Sequence, residues 1–132
     1  MEGRSFDPSS FVRVRTIAEI QNLSADTDGV FVFELNDEKL SAIAQHMPKL
    51  RHLVADGNTG VTDAGLVHLK GFSALESLDL EWSKVTDAGL SNIAAVQSLR
   101  WVDLGFCKGI TEQGASELQR IRPELEAIFG WI

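Results

Sequence analysis

The chain has 132 residues, the length of one domain, with a hydrophobic fraction of 44% and a formal net charge of −7. That acidic balance argues against nucleic acid as the main partner, because phosphates call for a positive footprint. No apolar run approaches the roughly 20 residues of a membrane span. The opening MEGRSFDPSS has no apolar stretch of the secretory kind, and the single cysteine, Cys107, permits no internal disulfide, so the expected setting is cytoplasmic.

In chain order, residues 1–10 are polar and read as a lead-in. Phe11 to Arg15, FVRVR, alternates like a strand, although a helix fits it as well. Thr16-Ile17-Ala18-Glu19 matches a capping box and starts a helix over about Ile17 to Leu23. Ser24 to Gly29, SADTDG, has loop composition. Val30 to Leu35 is a strand and Asn36 to Met47 a helix. Further strands are expected near His52–Asp56, Ser77–Glu81, Trp101–Gly105 and Ala127–Trp131. Helices are expected near Asp63–Lys70, Asp87–Ala95 and Glu112–Arg122.

These elements repeat. TDAGL stands at Thr62–Leu66 and again at Thr86–Leu90, with weaker copies TEQGA from Thr111 and NDEKL from Asn36. A second signature, L-x-x-L-x-L, runs through Leu75, Leu78 and Leu80, then Leu99, Val102 and Leu104. Leu50, Leu53 and Ala55 form another copy, and Leu125, Ile128 and Gly130 are taken as the last. The leading leucines are spaced by 25, 24 and 26 positions. Each copy switches from period 2 (Leu78, Leu80) to helical spacing (Leu90, Ile93, Val96). The threonines, and Asn36, sit where a helix N-cap belongs, and Asp37, Asp63, Asp87 and Glu112 follow at the positive end of each helix dipole. The glycines of the motif read as permitting tight helix packing.

The V-T-D-A-G-L and L-D-L-G-x-C-x-x-I-T elements resemble leucine-rich-repeat proteins, and most closely the cysteine-containing subclass found in F-box receptors and bacterial repeat proteins. The resemblance covers about Val30 to Ile132. It implies an α/β solenoid, a horseshoe of four to five units, with a parallel sheet on the concave face and helices on the convex face. Residues 1–29 then form an N-terminal arm or cap that covers the open end of the solenoid, or a partner-binding arm using Arg13 and Arg15. They are too short for an F-box.

On such a scaffold the side chains between core leucines face outward. The expected partner-binding set is His52, Asp56, Asp79, Glu81, Trp82, Trp101, Asp103, Phe129 and Trp131. Large aromatics beside acids suit an interface with a hydrophobic centre and a charged rim, and a partner of basic or apolar surface. The alternative is self-association, as a homodimer, through an uncapped C-terminal strand. Cys107, Ser83 and Asn58 share a slot for a small polar residue that satisfies loop backbone. His46 and His68 read as surface residues on helices.

No catalytic residue, metal or cofactor is expected. His52 and Ser77 would be neighbours, but a sheet spends its N–H groups on the ladder and leaves no oxyanion donors. Asp79, Glu81 and Asp103 are a candidate cation site that reads more simply as a solvated acidic patch. The glycines match no phosphate-binding loop. The expected function is non-enzymatic protein binding.

Overall fold

A computed structural model describes residues 11–56 and 59–130. Among the described residues the strands form one six-stranded parallel sheet, ordered as they occur in the chain. These are β1 (Val12–Val14), β2 (Gly29–Phe33), β3 (His52–Asp56), β4 (Ser77–Asp79), β5 (Trp101–Asp103) and β6 (Glu126–Ile128). Between them lie α1 (Ile17–Gln21), α2 (Asp37–His46), a 3₁₀ segment (Gly65–Gly71), a 3₁₀ turn (Asp87–Gly89) running into α3 (Leu90–Ala94), and α4 (Glu112–Ile121). FVRVR thus resolves as strand; β1 pairs with β2, and α1 packs against α2.

Units of about two dozen residues leave little chain for the return path. Two of the expected α-helices are therefore wholly or partly 3₁₀, whose larger rise spans the distance in fewer residues. The core lies between the sheet and the helical layer. The register lines up Val30, Leu53, Leu78, Val102 and Ala127 across β2 to β6. The first four are fully buried, with Leu35, Leu80 and Leu104 behind them.

Side chains stitch unit to unit. Asp37 accepts from the Thr62 N–H at 2.8 Å and from its hydroxyl at 2.6 Å. Asp63 does the same for Thr86, and Asp87 for Thr111. Each threonine also caps its own helix or turn, accepting from Ala64, Ala88 or Gly114 N–H. A Cβ on Gly65, Gly89 or Gly114 would collide with the aspartate of the preceding unit. One motif thus holds a clasp (Asp), its receiver (Thr) and the clearance for the previous clasp (Gly). The dipole and packing readings from sequence missed this link between units.

The last strand departs from the expected phase. Trp101 pairs with Glu126, Val102 with Ala127 and Asp103 with Ile128. One residue fewer separates Leu125 from its strand than separates Leu99 from Trp101, and one slip exchanges the two faces. The copy therefore reads Leu125, Ala127, Phe129, not Leu125, Ile128, Gly130. Ala127 and Phe129 pack against the core, and Ile128 is exposed. The expectation that Phe129 faces outward is corrected.

Arg122 closes this unit. Three positions before the leading leucine, the earlier copies carry Met47, Phe72 and Val96, all buried. The last copy carries Arg122, which donates to the carbonyls of Ala94, Val96 and Leu99 at 2.9–3.0 Å and to Glu124 at 2.5 Å. It satisfies carbonyls left open where α3 ends. His46 is likewise less superficial than expected: it is half-buried, with Nε2 2.7 Å from the Leu23 carbonyl, and ties the α1 exit to α2.

Candidate functional site

Residues alternating with the core row line the other side of the sheet. The register places Arg13, Phe31, Val54, Asp79, Asp103 and Ile128 in one row, and Gly29, His52, Ser77, Trp101 and Glu126 in the next. Successive members of a row lie one strand spacing apart, about 4.8 Å. Asp79 and Asp103 are direct cross-strand partners.

The acidic end is tightly drawn. Carboxylate oxygens of Asp79, Glu81 and Asp103 all lie within 4.8 Å of one another, and all three residues are half-buried. Asp79 Oδ1 accepts from the Glu81 N–H at 3.0 Å, and Asp103 Oδ1 from the Gly105 N–H at 2.8 Å. These turns fix both side chains. Gly105 leaves room for them: a Cβ there would meet Asp103 Oδ1 at 3.0 Å and the Glu81 side chain at 3.3 Å. Burial pushes the Asp79 carboxyl up to about 6, with the Asp103 and Glu81 charges adding to the rise. Burial raises Glu81 too, again helped by Asp103. Three carboxylates could contribute to a hard-cation site, yet supply only part of the six to eight oxygens that calcium takes.

The opposite end is cationic and aromatic. The guanidinium of Arg13 lies 4.3 Å from the Phe31 ring centre, and that of Arg15 lies 4.3 Å from Phe33. The alternation of VFVFEL carried the signal for Phe31 and Phe33 as outward residues.

His52 is only 7% exposed. Its Nδ1 is 2.7 Å from Ser77 Oγ, and the Phe11 ring stacks on it at 5.3 Å. Gly29 makes the space, since a Cβ there would strike that ring. Burial lowers the His52 pKa, which favours the neutral imidazole. His52 and Ser77 are thus brought together as the sequence suggests, but as a covered pair. Trp101 is half-buried beside Ser77 in the register. Asp56 ends β3, and its side chain lies outside what the structure describes, as do Trp131 and Asn58.

Trp82 and Phe106 occupy the same place in successive turns after β4 and β5. Both have positive φ, 64° and 58°, a region that costs a bulky residue on the order of 1–3 kcal/mol. Their rings stack at 4.5 Å with 15° between planes, which returns about 1 kcal/mol. Trp82 stays 43% exposed. Beneath them Cys107, the one cysteine, is buried 3.1 Å from Ser83 Oγ, with its Sγ also 3.4 Å from the Leu80 carbonyl. Burial raises its thiol pKa, the opposite of what a reactive thiolate needs.

Among the described residues no helix is long and apolar enough to cross a membrane. No curated protein matches the chain. A family model described as "Leucine Rich repeat" matches residues 74–94, the stretch that spans β4, the Trp82 turn and all of α3. Together with the parallel sheet and its alternating helices, this match supports a leucine-rich-repeat protein.

Proposed function

We propose that the chain is a non-enzymatic protein-interaction module whose outer sheet face, the concave face of the repeat, docks a partner with basic and apolar character. One observation carries the reading: Asp79, Glu81 and Asp103 converge within 4.8 Å beside Trp101, at the expense of desolvating Asp79. Three crowded carboxylates gain most from a cationic neighbour, and a half-buried tryptophan next to them supplies an anchor. Trp82 at the rim and Ile128 at the end of the row extend the apolar part. His52 lies on the same face beneath the Phe11 ring, and Phe129 belongs to the packing behind the sheet. The Arg13 and Arg15 end adds a second sign of charge, so the face selects a partner's orientation as well as its composition.

The test is capture of a partner from the native source, repeated with Asp79→Asn, Asp103→Asn and Trp101→Ala combined. Capture should be lost while far-UV circular dichroism is unchanged; undiminished capture by the triple variant rejects the face. A second reading is self-association along β6, favoured by its place at the edge of the sheet among the described residues and by exposed Ile128. Sedimentation over a concentration range decides it, and a monomer throughout counts against it.

A further inference from the structure

The two turns that carry Trp82 and Phe106 border an open groove whose lining does not include the acidic row. It is lined by Trp82, Ser83, Lys84, Phe106, Lys108 and Gly109, and its volume is about 540 Å³, within the range of small-ligand sites. Its chemistry is the reverse of the sheet face. Lys84 and Lys108 are exposed, and neither ammonium has an ion-pair or hydrogen-bond partner among the described residues. The same groove carries a stacked aromatic pair whose tryptophan keeps much of its surface open.

Hydrogen bonds fix the backbone that borders the groove. Trp82 N–H donates to the Gly105 carbonyl at 2.9 Å and Phe106 N–H to the Gly130 carbonyl at 3.1 Å. Lys84 N–H donates to the Val61 carbonyl at 2.9 Å, and the Ser83 hydroxyl meets the Cys107 sulfur below. Backbone that glycine would occupy without strain instead presents two large rings, so the turns hold an aromatic platform in place at the cost of their own comfort.

We propose that this groove binds a flat ring carrying an anionic group, a phosphate or a carboxylate, with the ring on Trp82 and the anion between Lys84 and Lys108. A flat ring suits an indole that is 43% exposed beside its Phe106 partner, and an anion answers two exposed ammonium groups. Such a ligand could be a free nucleotide or an aromatic acid; the shared features are planarity and negative charge.

The experiment titrates the full chain with adenosine 5′-monophosphate and, separately, with indole-3-acetate, followed by NMR of the three indole N–H signals. Adenosine and inorganic phosphate serve as half-ligands. At least one ring-bearing anion should saturate, move the Trp82 signal, and bind at least about tenfold tighter than either half-ligand. Which of the two binds separates the nucleotide from the aromatic-acid source. Trp82→Gly, which suits the turn's backbone and so spares the fold, should weaken binding by at least about tenfold. Lys84→Gln with Lys108→Gln should do the same. Asp79→Asn with Asp103→Asn should leave it unchanged, so a failed sheet-face reading does not imitate a failed groove. The proposal is overturned if neither anion saturates by about 10 mM, if phosphate alone binds as well, or if Trp82→Gly binds like the parent.

Discussion

Asp87, Thr111 and Gly114 behave as one device, and their coupling can be measured. Asp87→Ala removes two hydrogen bonds to Thr111 and should cost about 1 kcal/mol in urea unfolding, since the pair is exposed. Gly114→Ala alone should destabilise, because its Cβ meets only Asp87 atoms among its nearest neighbours. In the Asp87→Ala background the same change should become neutral or stabilising by up to about 1 kcal/mol, the ordinary preference of a helix for alanine. A double-mutant cycle showing simple additivity would refute the clasp. Asp79 gives a second test at this scale. Its folded pKa of about 6 lies above the 3.8 of an ordinary aspartate, so the folded state holds this proton to higher pH. That contribution favours folding at low pH and is lost as pH rises from about 4 through 6. Asp79→Asn should therefore gain on the order of 2 kcal/mol over the parent at pH 8, a gap that closes below pH 4. Chemical denaturation across that range checks the sign. The positions of these residues were legible in the sequence, because Thr, Asp and Gly recur in phase. Their partners were not: each bond reaches across 23 to 25 residues, and within one copy aspartate and glycine have adequate local explanations.

At the scale of elements, the strands were readable wherever a branched or leucine side chain alternated with a polar one. Leu78 and Leu80 lie at 0% exposure, as period 2 requires. Alternation misleads at β6, where Ile128 has the type of a core residue and Ala127 does not; a single deletion before the strand changes the phase, and residue type alone does not show it. Helix type failed for another reason, since 3₁₀ and α segments share their first-turn chemistry and differ by the length of chain to be spanned. Arg122 was overlooked because a charged residue in an apolar slot reads as a helix end. Arg122→Met, which restores the residue type of Met47, should lose about 2 kcal/mol by exposing the carbonyls of Ala94, Val96 and Leu99. Hydrogen exchange should show that loss confined to α4 and β6; an even loss across all strands would contradict it.

For the whole molecule, the repeat period and the parallel order were both available from spacing, and they place the acidic patch correctly because Asp79 and Asp103 fall in equivalent positions. What spacing could not supply is the distribution of charge around that patch. Arginines lie on phenylalanines at one edge of the sheet, carboxylates gather toward the other, and lysines flank the aromatic turns. A chain with net charge −7 thus carries distinct cationic surfaces, and composition alone describes none of them. Partner capture by the acidic patch should weaken as salt rises and as pH falls below about 6, where Asp79 takes up its proton. Capture that strengthens under either change would mean another surface is responsible.

Every strand hydrogen-bonds to those adjacent in the chain, in order, and the Asp–Thr clasp is the same at three successive junctions. Such a chain should be extensible like a zip. Copying residues 75–98 and inserting the duplicate after residue 98 keeps both existing seams and adds one in which Asp87 of the first copy faces Thr86 and Gly89 of the second, the same clasp again. The lengthened protein should fold, gain ellipticity in step with its length, and melt no lower than its parent.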